Sequence, residues 1–230
     1  MEQLLHWDAQ ALLWINGHHT PFWDQVMWYA SQSWTWIPLY LLMVFVIWKL
    51  TATLRPNSPE KTSNNLHIYK FTNLPHEVIV PLAGKEIILL VFIAVACIGA
   101  AAGLSDYVTS GILKKLICRP RPTHSELAGY LHLVNGYTGG KYGFPSSHAA
   151  NTFAVATCFL MIIRNLTAVR LLYGTMTILM VLYVAVNCYS RMYLGVHYPL
   201  DILTGGAIGL LFGWLFGRAY DYALRTVSDK

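Results

Sequence analysis

Three short polar stretches in an otherwise oily chain hold the residue types that can do chemistry: KKLICRPRP (114–122), FPSSHAAN (144–151) and SRMYLGVHYPLD (190–201). Polar side chains at the mouth of an apolar segment are costly, so each needs a reason to be there. In the third stretch His197 and Asp201 are four residues apart. If a helix begins near Tyr198, with Pro199 in its first turn, the two side chains can meet. The carboxylate can then set the imidazole tautomer and leave the other ring nitrogen as a nucleophile. Arg191 can neutralise an anion under attack. In the second stretch Pro145, Ser146 and Ser147 read as a helix start, whose free N–H groups and positive dipole end suit an anion, with His148 in the first turn. In the first, Lys114 and Arg121 supply two cations, one of them a planar fork matched to phosphate oxygens. Pro120 and Pro122 argue for a helix break between them.

Each stretch alone has a plain explanation. The four cations Lys114, Lys115, Arg119 and Arg121 could sit among anionic lipid headgroups, and a lone histidine at a helix start is usually just a satisfied polar residue. Together they form an inventory for phosphoryl transfer, in which positioning and charge stabilisation count for more than any single base. No metal site is expected, because outward carboxylates are few and scattered, and no cofactor is implied.

The elements that must position these residues follow from composition. With 55% hydrophobic and 12% charged residues, the chain is far from a soluble domain. Largely apolar windows run over 25–48, 87–104, 146–163, 171–190 and 202–217, most of them long enough with their flanks to cross a hydrocarbon core of ~30 Å. The expected fold is an all-α integral membrane protein, a helical bundle of about five to six transmembrane helices with a short N-terminal interfacial helix. The first span should start inside its window and the last reach back to about Tyr198. The whole chain, 1–230, reads as one membrane-embedded domain, with the chemistry confined to 114–201.

Segment 1–20 lacks the pattern of a secretion signal. Leu4, Leu5, Leu12 and Leu13, with Trp7 and Trp14, suit either a helix lying in the headgroups or an ordinary packing helix. Five spans divide the sixteen Lys and Arg residues unequally. Lys49, Arg55, Lys61, Lys70, Lys85, Arg164, Arg170, Arg218, Arg225 and Lys230 share one side, which should be cytoplasmic, so the N-terminus should face outward. The net charge of +5 is then a topology signal and not a nucleic-acid footprint. Segment 51–85 becomes a cytoplasmic loop whose His67 and His76 lack a ligand cluster. The four cysteines, Cys97, Cys118, Cys158 and Cys188, have no metal-type spacing. Gly205, Gly209, Gly213 and Gly217 form a ladder that lets another helix approach, from this chain or from a second copy. Oligomeric state is left open. Counting crossings brings all three polar stretches to the outward side.

Lys114 with Arg121-Pro122, Pro145-Ser146 with His148, and Ser190-Arg191 with His197 and Asp201 resemble the three motifs of the type 2 phosphatidic acid phosphatase superfamily. That resemblance implies a membrane enzyme dephosphorylating lipid phosphates, in which His197 forms a phosphohistidine, Asp201 holds its ring and His148 protonates the leaving group and then activates water. It further implies a phosphoryl clamp of Lys114, Arg121 and Arg191, helped by Ser146 and by the amides around Ser147. Ser147 departs from the pattern, standing where glycine is common. Soluble vanadium haloperoxidases share these motifs, but the spans argue against them. Two rivals remain: a lipid-to-lipid phosphotransferase using the same phosphohistidine, and a non-catalytic lipid-phosphate binder, which would not explain the pairing of His197 with Asp201. Membrane lipids are the expected partners. The substrates implied are undecaprenyl diphosphate, phosphatidylglycerol phosphate, phosphatidic acid or a lipid A phosphate. A bacterial inner membrane, with the site facing the periplasm, would suit them. The outward loop 115–144 should select the headgroup. Its Gly129, Gly136, Gly139 and Gly140 suggest flexibility, and Tyr130, Tyr137 and Tyr142 could stack on a sugar or anchor at the interface.

Overall fold

A computed structural model describes residues 2–53 and 84–228. Most of the expected cytoplasmic loop, with His67 and His76, lies outside the described residues. Two short helices come first, α1 (Glu2–Gly17) and α2 (Pro21–Ala30). Thr20 caps α2, its Oγ1 accepting from the Trp23 N–H at 3.3 Å, and Pro21 occupies the first turn, where its missing N–H costs nothing. A 3-10 turn over Ser33–Trp36 leads into α3 (Ile37–Ala52). The long helices α4 (Gly84–Asp106), α6 (Ser147–Leu166), α7 (Arg170–Tyr193) and α8 (Pro199–Ser228) follow, with the four-residue α5 (Lys114–Ile117) between α4 and α6.

Among the described residues five helical stretches are long and apolar enough to cross a membrane: Ser33–Ala52, Gly84–Ile117, Ser147–Leu166, Arg170–Tyr193 and Pro199–Val227. The number matches expectation. The first span also starts inside its window, at Ser33, because the window's opening residues belong to α2, which ends at Ala30 and is separated from the span by a turn.

Helix α6 is the centre of the bundle and packs against α3, α4, α7 and α8. Its small residues Ala149, Ala150, Ala154 and Ala156 are buried, which lets neighbours approach closely. The glycine ladder of α8 meets this helix, so its neighbour is the same chain. A Cβ on Gly205 would stand 2.2 Å from the Ser146 carbonyl oxygen, and one on Gly209 2.2 Å from that of Ala150. Further along, Phe159, Ile162, Ile163, Met180, Tyr183 and Tyr220 build the apolar core.

Helix α1 buries Asp8, Leu12 and Asn16, one face at a spacing of four, while Leu4, Leu5, Trp7 and Trp14 stay exposed. Of the expected leucines, Leu12 packs while Leu4 and Leu5 do not. The packed face is half polar, and Asn16 uses both amide donors and its oxygen in that interface: its amide donates to the carbonyls of Tyr193 (2.7 Å) and His132 (3.0 Å), and its oxygen accepts from the His132 N–H at 2.8 Å.

Candidate active site

Four helix ends converge at the end of the bundle that α1 and α2 cover. Helix α4 continues through a π-helical segment, Tyr107–Leu113, before delivering Lys114. Such segments shift side-chain register locally and are frequent at functional sites. Here the shift places Thr109, Ser110 and Lys114 around one hydroxyl, that of Ser147: Ser110 Oγ lies 2.6 Å, Lys114 Nζ 2.8 Å and Thr109 Oγ1 3.0 Å from Ser147 Oγ. Ser147 thus orients the lysine, a role that glycine could not fill.

The helix stops at Cys118, in the left-handed region at φ 52°, and the chain turns away as the prolines predict. The following loop is ordered. Arg121 N–H donates to the Lys141 carbonyl at 3.0 Å, Gly143 N–H donates to that of Arg119 at 2.9 Å, and Pro120 bridges to Tyr142. Its glycines are not all hinges: Gly139, at φ +67°, lies against the Arg121 guanidinium, where a Cβ would stand 3.2 Å from Cζ. Gly143 leaves room for Asp201 Oδ2, 3.0 Å from where its Cβ would be.

Ser146 caps α6, its Oγ accepting from the Ala149 N–H at 3.4 Å, while its own N–H donates to the Asp201 carbonyl at 2.9 Å. Its hydroxyl is therefore engaged by its own helix, and the start of α6 is tied to the start of α8. Gly205 permits that contact. His148 follows in the first turn of α6, half-buried, with the backbone of Ser31 within hydrogen-bonding reach of its ring.

Arg191 sits in the last turn of α7 and is 3% exposed; Arg121 is 8% exposed, and His197 is 1% exposed. Arg121 Nη1 lies 2.9 Å from His197 Nε2 and also donates to the Val196 carbonyl at 3.0 Å. A guanidinium has only donors, so Nε2 presents its lone pair and the ring proton sits on Nδ1. Nδ1 in turn faces Asp201 Oδ2 at 3.3 Å, which also accepts the Tyr198 N–H at 3.1 Å. Complete burial, then the positive charges of Arg121 and Arg191, hold the His197 imidazole well below the usual histidine range. Lys114 and His148 act on that ring in the same direction. His197 is a neutral base with its free nitrogen turned toward a cluster of cations. The Nε atoms of Arg121 and Arg191 are buried without a partner among the described residues, and buried donors of this kind are expensive unless they serve an anion.

Two residues here went unread in the sequence. Arg119, counted only as one of several loop cations, donates to Asp201 Oδ1 at 2.9 Å and to Asp8 Oδ2 at 2.6 Å, with its guanidinium 4.0 Å above the Tyr198 ring. Asp8, buried on α1, also accepts the Leu200 N–H at 2.8 Å. A charge on the buried face of an otherwise amphipathic helix was the available signal. Tyr137, expected to be a sugar platform or an interface anchor, is in contact with a phosphate-binding candidate: its hydroxyl accepts from Arg191 Nη2 at 3.3 Å, and its ring centroid lies 5.6 Å from the guanidinium.

A helical membrane bundle with a carboxylate-backed histidine inside a cationic cradle is the arrangement expected of a lipid phosphate phosphatase. Residues 87–225 match the PAP2 superfamily, and the chain belongs to that family. It is 31% identical over 96% of its length to a lipid A 4'-phosphatase of Bacteroides thetaiotaomicron, covering 81% of that protein. To a lipid A 4'-phosphatase of Porphyromonas gingivalis it is 30% identical over 97% of its length, covering 77% of the relative. The crystal structure of a transmembrane PAP2-type phosphatidylglycerolphosphate phosphatase from Bacillus subtilis shares the fold, with a TM-score of 0.59 at 18% identity, over 97% of this chain and 88% of that one.

Proposed function

We propose that this enzyme removes a phosphate monoester from lipid A or a closely related phosphoglycolipid at the periplasmic face of a bacterial inner membrane, through a phosphohistidine on His197. Likeness to the lipid A 4'-phosphatases runs over nearly the whole chain, well beyond 87–225, and supports this substrate class over the other lipid phosphates. The excess of Lys and Arg on the opposite side supports the orientation.

The observation that carries the mechanism is the line Arg121–His197–Asp201, which leaves His197 Nε2 unprotonated beside buried, unpaired arginine donors. In the first step Nε2 attacks phosphorus, the ester P–O bond breaks, and the leaving sugar oxygen takes a proton from His148. Asp201 stabilises the positive charge that develops on the ring. Arg121, Arg191 and Lys114 hold the equatorial oxygens, and the amides at the start of α6 add their dipole. In the second step His148, now neutral, takes a proton from water as its oxygen attacks phosphorus. The P–N bond then breaks and frees phosphate.

The test is phosphate release from lipid A, undecaprenyl diphosphate, phosphatidylglycerol phosphate and phosphatidic acid by the purified protein and by His197→Ala. Release from lipid A without an acceptor lipid is expected, together with an acid-labile, base-stable phosphate on His197. Undiminished turnover by His197→Ala would overturn the mechanism, and release only from the other lipids would overturn the substrate. Release that requires an acceptor lipid would make the protein a transferase.

A further inference from the structure

Outside the phosphoryl cluster, the fold gathers a second group of ligating side chains at the same end of the bundle. His19 follows α1, Asp24 belongs to α2 and His132 comes from the loop between α5 and α6. One ligand atom from each lies within 4.8 Å of the others. We propose that His19, Asp24 and His132 bind one zinc-type divalent transition metal ion, which staples the α1–α2 turn to this loop.

Two imidazoles and one carboxylate are a donor set suited to Zn²⁺, Co²⁺ or Ni²⁺, and poorly suited to Mg²⁺ or Ca²⁺, which favour all-oxygen sites. His132 Nε2 and Asp24 Oδ2 are 2.9 Å apart. Ligands ~2.0–2.2 Å from a tetrahedral ion stand roughly 3.3 Å from one another, so this pair needs to open by only a few tenths of an ångström. His19 supplies the adjustable member. Its ring stacks on that of His132, with centroids 3.6 Å apart and planes 4° apart, and parallel rings cannot both aim in-plane lone pairs at one ion. His19 is exposed and can turn about its side-chain torsions to do so. Water would complete the shell from the open side.

The supporting residues resemble those that orient metal ligands elsewhere. The buried Tyr193 donates its hydroxyl to Asp24 Oδ1 at 2.7 Å, which leaves Oδ2 for the ion. Asn16, 1% exposed, fixes the His132 backbone on both sides. A metal here would hold the loop that carries Val134 and Tyr137 against Met27, Tyr193 and Val196.

The experiment uses tag-free, chelator-treated protein in detergent, titrated with Zn²⁺ or Co²⁺. One ion per chain is expected, with the visible absorption of a nitrogen- and oxygen-ligated Co²⁺ and a rise in thermal midpoint that grows with free metal, as mass action requires. His19→Ala, a surface change that leaves the core intact, should weaken binding at least tenfold. His19→Ala/His132→Ala should remove both the Co²⁺ spectrum and the thermal shift, while Mg²⁺ and Ca²⁺ produce neither in the wild type. If wild type and His19→Ala bind Zn²⁺ with equal affinity, or wild type shows no stoichiometric binding, the site does not exist.

Discussion

Asp8 and Asp201 share one cation: Arg119 reaches Asp201 at 2.9 Å with one amino group and Asp8 at 2.6 Å with the other. The acid that orients the His197 ring is thus itself held by a helix from the far end of the chain. Both carboxylates are buried, and the guanidinium between them offsets the cost of burying them.

Asp8→Asn should therefore slow the enzyme without loosening its grip on phosphate. Arg119 would keep Asp201 but lose the partner that fixes its fork. A charge-assisted hydrogen bond contributes about 1.5–3 kcal/mol, so kcat should fall roughly 10- to 100-fold, with KM changing little. Arg119→Ala should do more, because it leaves two buried carboxylates uncompensated. Steady-state kinetics on one lipid phosphate, with a melting curve for each variant, separates these effects. An unchanged kcat in Asp8→Asn would show that the link is structural only.

These residues also show what the sequence could and could not disclose. Spans are local properties of composition, and the motif residues Lys114, Arg121, His148, Arg191, His197 and Asp201 carry their meaning in type and spacing, so both were readable. The link from Asp8 through Arg119 depends on where α1 docks, which no spacing reports. The π-helical turn before Lys114, which brings Thr109 and Ser110 to Ser147, shifts the helix by a register that periodicity does not contain. Gly139 suggested flexibility for a related reason: a glycine that relieves crowding and a glycine that supplies freedom look alike until the neighbour is known.

Gly139→Ala tests that distinction. At φ +67° an added methyl is strained, and it would press on the Arg121 guanidinium at 3.2 Å. Arg121 should be displaced from His197 Nε2, raising KM and lowering kcat/KM by tenfold or more. Gly129→Ala, with nothing within 4 Å of the new Cβ, should be silent in the same assay.

The α6–α8 contact makes a stability prediction. In Gly209→Ala the new methyl would meet the Ala150 carbonyl oxygen at 2.2 Å, a backbone atom that cannot swing aside. Overpacking of this kind costs about 1–3 kcal/mol, so thermal unfolding in detergent should begin several degrees lower. Gly174→Ala on α7, in open space, is the matched control and should melt with the wild type.

Tyr137 lies over Arg191, and burial there raises its hydroxyl while the guanidinium lowers it more, leaving the group below the ordinary tyrosine range. Tyr137→Phe keeps the ring and loses the 3.3 Å bond. Arg191 is held by little else among the described contacts, so a few-fold loss in kcat/KM is expected from Phe and a larger one from Ala. Equal losses in the two variants would mean that the ring contributes nothing.

The acid limb of the pH profile reports His197 directly. Its nucleophilic nitrogen must be unprotonated, and burial together with Arg121 and Arg191 holds the imidazole well below its ordinary value. Lowering the pH through the usual histidine range near 6.5 should consequently leave most of the nucleophile active, with loss setting in only at lower pH. Removing one neighbouring charge should reverse part of that shift: in Arg121→Gln the cation that most disfavours the imidazolium is gone, the histidine moves back up, and the acid limb of kcat/KM moves to higher pH. A phosphate monoester also titrates, near pH ~6, but the same substrate contributes equally to both profiles, so the displacement between them belongs to the enzyme. Limbs that coincide, or a variant limb displaced to lower pH, would mean that Arg121 does not set the charge state of His197.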